Sequence, residues 1–139
     1  MAMLLVIFLA GIIAYMGYLW LTYIDKDVES GRAYGLAIGQ SKDQVLENLS
    51  VAFDRAGFIS DQVFVEVPAD AAMARTLGIV ENRHVMIPVN QNDFDISKVY
   101  ADDLWIFYSK KNHNDLLRLK FCDEKLCRIY RHRKNLELP

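Results

Sequence analysis

The chain opens with a run almost empty of polar positions: Met3 to Ile24, MLLVIFLAGIIAYMGYLWLTYI, holds no charged side chain. A helix needs about 20 apolar residues to cross roughly 30 Å of hydrocarbon, so the run predicts a transmembrane helix. Beyond it the pattern becomes that of a folded domain. Tyr34, Leu36 and Ile38 alternate with other residues up to Gly39, and Ser41 followed three residues later by Gln44 has the form of a capping box opening a helix. Val45, Leu49, Ala52, Phe53 and Ala56 then recur at helical spacing, and Gly57 is placed to end that helix in a left-handed turn.

Further along, Gln62 to Val67 (QVFVEV) reads as a strand closed by Pro68, and Ala69 to Leu77 as a short helix ended by Gly78. His84 to Ile87 predicts a strand that Pro88 ends or places at a sheet edge. The polar stretch from Asn90 to Asp103 reads as a surface loop. Three apolar strands follow, Leu104 to Tyr108, Leu116 to Phe121 and Leu126 to Tyr130. The order predicts an α+β protein: residues 1–24 a transmembrane anchor, 25–33 a short polar connector, and 34–139 a small two-layer domain with an antiparallel sheet. With 139 residues in all, what lies outside the anchor supports one small core.

The anchor reads as uncleaved. No basic segment precedes it, it exceeds the about 7 to 15 apolar residues of a signal peptide, and no small-residue cleavage site follows it. A lipoprotein signal needs a cysteine just after the run, and both cysteines lie near the other end. Tyr15, Tyr18, Trp20 and Tyr23 crowd the second half of the run, where amphipathic rings favour the membrane interface. Ala10, Ala14 and Gly17 put small side chains on one face, where a second helix could pack closely. The flanking charges leave the orientation open.

Charge and chemistry narrow the function. Lys+Arg 16 against Asp+Glu 18 leaves a net charge of −2, which argues against nucleic acid as a partner. The basic cluster Arg128, Arg131, His132, Arg133 and Lys134 reads as the solvent face of a last strand, or as a contact to anionic headgroups. His84, His113 and His132 have no metal-ligand spacing, Asp102 and Asp103 point to opposite faces if in a strand, and no phosphate-cradling glycine loop occurs. No catalytic residue, metal or cofactor is therefore expected. Cys122 and Cys127 flank a hairpin turn at Asp123-Glu124-Lys125; they are either a cross-hairpin disulfide, implying an oxidising compartment, or two half-buried thiols. Trp105, Phe107 and Tyr108 are the expected protein-binding residues, since aromatic side chains dominate binding hot spots. Trp105 and Phe107 share a face, so one set belongs to the core.

The segment Gly39-Gln40-Ser41-Lys42-Asp43-Gln44-Val45, with Leu46 and Leu49, resembles the start of the SmpA/OmlA (BamE-like) family of small outer-membrane assembly lipoproteins. Leu119-Lys120-Phe121, the turn to Lys125, and Leu126-Cys127-Arg128-Ile129 are similar to that family's last hairpin, and Trp105 to Tyr108 stands where the preceding strand would. The likeness covers about half the chain; it has no lipobox cysteine, and Phe58 to Asp103 has no counterpart. Taken with the uncleaved anchor and the absence of catalytic signatures, it leads us to expect a non-enzymatic, single-pass protein of a bacterial inner membrane with a periplasmic domain, touching membrane lipid and binding a protein partner as an accessory or assembly subunit of an envelope complex. The alternative is a membrane-anchored inhibitor or immunity protein that neutralises a toxin or enzyme.

Overall fold

The structure is a computed structural model that describes residues 2–58, 62–80, 83–89, 97–109 and 112–134. Helix α1 (Ala2–Leu21) is 20 residues long, enough to rise about 30 Å, and is exposed along its length. It is long and apolar enough to cross a membrane. Its last turn is closed by the Thr22 hydroxyl, which donates to the Tyr18 carbonyl at 2.8 Å. Ala10, Ala14 and Gly17 lie on this exposed helix, and a Cβ at Gly17 would meet nothing within 4 Å.

The expected connector is corrected here. After Thr22 and Tyr23 the chain enters strand β1 (Ile24–Val28), which pairs antiparallel with the last strand from Ile24↔Arg133 to Val28↔Ile129. IDKDV carries little strand propensity of its own. Carboxylates in and just after it face basic side chains opposite: Arg128 grips Asp27 and lies 3.4 Å from Glu29, and the His132 ring sits 3.8 Å from Asp25. The anchor likewise ends at Leu21, with Ile24 already in the sheet.

A two-stranded hairpin follows, β2 (Arg32–Ala33) and β3 (Leu36–Ala37), turning through Tyr34 and Gly35 at φ 53 and 82. The Ser41 hydroxyl then accepts from the Gln44 N–H while the Gln44 side chain accepts from the Ser41 N–H at 3.1 Å, the reciprocal cap expected of this pair. The single helix expected after it is two, α2 (Lys42–Glu47) and α3 (Leu49–Ala56). Asn48 sits between them at φ −97 and ψ 3, its side-chain amide turned back onto the Gln44 carbonyl, a local alternative to helical bonding that asparagine favours. Gly57 ends α3 at φ 78, and a Cβ there would stand 2.8 Å from the Arg133 guanidinium.

Strand β4 (Val63–Pro68), helix α4 (Ala71–Leu77, capped by Asp70), strand β5 (His84–Pro88), the single turn α5 (Ser97–Tyr100) and strands β6 (Leu104–Ser109), β7 (Asn112–Cys122) and β8 (Lys125–Arg133) complete the domain. All pair antiparallel in one six-stranded sheet, order β1-β8-β7-β6-β4-β5, so Pro88 does fall on an edge strand. The expected loop between Asn90 and Asp103 lies partly outside the described residues; its last part is α5, whose Val99 is buried at 2% exposure.

The sheet buries one face. Val63, Val65 and Val67, Trp105 and Phe107, Leu117, Leu119 and Phe121, and Leu126 and Ile129 alternate inward against Val45, Leu49, Ala52 and Phe53 of the helices. Phe53 meets Phe107 edge-on at 5.0 Å, and Trp105 lies 4.4 Å from Phe121. The chain is therefore α+β, an apolar N-terminal helix followed by an antiparallel-sheet domain.

Candidate functional site

The outer face of the sheet is where sequence and structure part on the expected binding residues. Trp105 and Phe107 are fully buried at 0% exposure, and the Trp105 indole N–H donates to the Asp102 carbonyl at 3.0 Å. They are core residues, not a binding surface: their strand parity matches Leu117 and Leu119 opposite them, which face the helices. Tyr108 has the opposite parity and lies on the outer face, half-buried, its hydroxyl donating to Glu66 at 2.9 Å. Burial, and then that carboxylate, push its phenol up to about 12.

A hollow of about 670 Å³ lies on this face, lined by Leu104, Leu116, Arg118, Lys120, Arg128, Tyr130 and His132, with Asp27 and Asp103 at its rim. A smaller hollow of about 240 Å³, lined by Glu66, His84, Asp102, Asp103, Leu104 and Ile106, shares Asp103 and Leu104 with it. Both carboxylates of the larger hollow are already engaged. Arg128 holds Asp27 with its Nε at 2.8 and 3.0 Å and with a terminal nitrogen, which keeps the Asp27 carboxyl below its usual range. Asp103 is taken by Lys42 at 3.1 Å. Arg118 lies over the Tyr130 ring at 5.7 Å, and neither it nor Lys120 has a carboxylate partner among the described residues.

A disulfide closes the hairpin at one end of this hollow. Asp123 and Glu124 form its two-residue turn, both at positive φ (50 and 63), as a type I′ turn requires. The register explains how cysteines of unequal position meet: Cys122 pairs with Lys125, Phe121 with Leu126, and then Lys120 with Arg128, leaving Cys127 as the extra residue of a bulge. That bulge turns Cys127 to the outer face beside Cys122, Cα atoms 5.7 Å apart, and the two are bonded. Replacing both by serine should lower stability by about 2 kcal/mol, the chain-entropy value for so short a loop; urea denaturation of the full chain in micelles, with and without reductant, measures it.

Two buried cations were not expected as anchoring points. Lys42 is 2% exposed, and its ammonium lies 3.1 Å from Asp103, 3.3 Å from Glu124 and 3.1 Å from the Tyr100 carbonyl. Burial works against its charge, but the two carboxylates outweigh it and hold its pKa above the usual lysine value. Lys42 thus ties the start of α2 to the hairpin tip and to the approach of β6. Arg131 corrects the reading of the basic cluster as a solvent face. It is 0% exposed, paired with Asp115, donating to the carbonyls of Ala56 at 2.9 Å, Leu116 at 3.0 Å and His132 at 2.7 Å, and stacked 4.6 Å from the Phe58 ring. Strand alternation with Ile129 was the signal that could have shown it pointing inward.

Tyr23, just past α1, sets its ring edge-on to His132 at 5.9 Å and its hydroxyl on Asp25 at 3.2 Å, fastening the helix end to the sheet. His84 is exposed on β5, and the side chain of His113 lies outside the described residues. Among the described residues no three of His, Cys, Asp and Glu converge as a metal site. No family model, curated protein or solved structure matches the chain.

Proposed function

We propose that the protein is a non-enzymatic, single-pass protein of a bacterial inner membrane whose periplasmic domain binds another protein, as an accessory or assembly subunit of an envelope complex. The observation that carries this is the pairing of an apolar 20-residue helix with a sheet whose outer face, among the described residues, carries an open hollow of about 670 Å³. A domain fastened two residues from that helix, with α2, α3 and α5 packed into the core on the inner face, has the face that carries the hollow to offer a partner. The Cys122–Cys127 bond supports an oxidising compartment. The envelope role leans on the resemblance of residues 39–49 and the last hairpin to SmpA/OmlA lipoproteins.

Affinity purification of the full chain from its native membrane in mild detergent, followed by mass spectrometry, tests the reading. A stoichiometric envelope protein is the expected result. An eluate holding only the bait would sink it and turn attention to an inhibitor or immunity protein, whose target is absent until delivered.

A further inference from the structure

We infer that the larger hollow on the outer face is the docking groove for an acidic, extended segment of a partner protein, with Arg118 and Lys120 as its two charge-reading residues. This rests on the protein-binding reading above and specifies its chemistry. The first ground is charge. Arg128 holds Asp27 and Glu29, and Lys42 holds Asp103 and Glu124 from the helix layer, so the carboxylates around the groove are engaged by those two cations, while Arg118 and Lys120 face it with no carboxylate partner among the described residues. Cations without carboxylate partners beside Leu104, Leu116 and Tyr130 attract a segment that brings carboxylates and apolar side chains together.

The second ground is spacing. Arg118 and Lys120 are two residues apart on one strand, hence on one face and about 6.6 Å apart. Alternate side chains of an extended peptide repeat at the same distance, so acidic residues at every second position would meet both cations. Leu116 continues the row on β7, and Leu104 and Tyr130 flank it, so apolar side chains on the same face of the segment, next to its acidic pair, meet apolar surface.

The third ground separates a protein from a lipid headgroup. By register, Arg118 lies level with Asp27 and Lys120 lies beyond Val28, three and about five residues along from Ile24, the first strand residue after the helix. That is about 10 and 16 Å along the strands, at or past the distance over which exposed charges act at physiological salt, about 8 Å. Among the described residues the cations nearest the helix end are instead Arg133 and Lys134. Two cations are also few for nucleic acid, whose affinity is built from many phosphate contacts.

The test uses the full chain in phosphatidylcholine nanodiscs and a fluorescein-labelled extended peptide with Glu at two alternate positions and Leu at the next alternate position on either side, read by anisotropy. The peptide should bind, and binding should fade as NaCl approaches about 1 M, where the Debye length is about 3 Å. The double variant Arg118→Glu/Lys120→Glu should bind at least about tenfold more weakly. The control Arg75→Glu/Arg83→Glu makes the same charge change at exposed sites outside the groove and should leave binding within about twofold. Both variants should keep the parent's circular dichroism and thermal midpoint. Equal losses in the two variants, or phosphatidylglycerol vesicles or duplex DNA losing affinity for Arg118→Glu/Lys120→Glu while the peptide does not, would overturn the inference. A stoichiometric partner co-purifying equally with the parent and the groove variant would overturn it too, while leaving the protein-binding reading standing.

Discussion

Alanine at Arg131 should cost about 3 to 5 kcal/mol of stability, the penalty for removing one member of a buried ion pair. The reason is what it leaves behind. Asp115 would keep a nearly buried carboxylate, 11% exposed at the side chain, with Arg133 at 3.4 Å its one remaining cation among the described residues, and the Ala56 carbonyl at the end of α3 would lose its nearest donors. Burial already pulls the Arg131 pKa down, with Asp115 opposing, so the guanidinium stays because its partners hold it. Urea denaturation of the full chain in micelles measures the loss. The double variant Arg131→Met/Asp115→Leu decides the mechanism: recovery of most of the loss identifies the stranded carboxylate as its cause, and no recovery assigns it to the lost bonds to Ala56, Leu116 and His132.

Trp105→Ala should be comparably severe, about 3 to 5 kcal/mol, because it removes the largest fully buried side chain and leaves a cavity beside Phe121 that the sheet backbone cannot close. For a domain of this size that corresponds to a thermal midpoint lower by about 12 °C or more. The informative comparison is with binding. At a temperature where the variant is still folded, it should capture any partner that the parent captures, since Trp105 offers nothing to the outer face. A binding defect in a folded Trp105→Ala protein, with Arg118 and Lys120 intact, would mean that the core geometry shapes the groove more than its charges do.

How much of this could be read from the chain depended on whether the signal was local. VFVEVP alternates cleanly, so both the strand β4 and its buried face are legible. The Ser41–Gln44 cap and the glycines at 57 and 78 are written in a few adjacent residues, and both glycines take the left-handed conformation. Strand β1 was not legible, because IDKDV has no apolar alternation and becomes a strand only by pairing with residues a hundred positions later. Lys42 stands at the first turn of a helix, where a lysine reads as solvated, and nothing nearby announces the hairpin tip that covers it. The aromatic row Trp105, Phe107 and Tyr108 was visible as a row, but which side faced the helices depended on register with β7. The groove is the extreme case. Its lining comes from β1, β6, β7 and β8, and only the strand order brings Asp27, Leu104, Arg118 and Arg128 to one place.

The short hand-over from α1 to β1 makes the molecule a mechanical element. Thr22 and Tyr23 can pay out at most about 7 Å of slack, and Tyr23 is pinned to Asp25 and His132. A pull on the helix along β1 therefore loads the register from Ile24↔Arg133 to Val28↔Ile129 in shear, so that the bonds of the whole strand share the tension instead of parting one at a time. Those bonds end on β8, the strand that carries Arg128 and Tyr130, so displacement of the helix is delivered to two residues that line the hollow on the outer face.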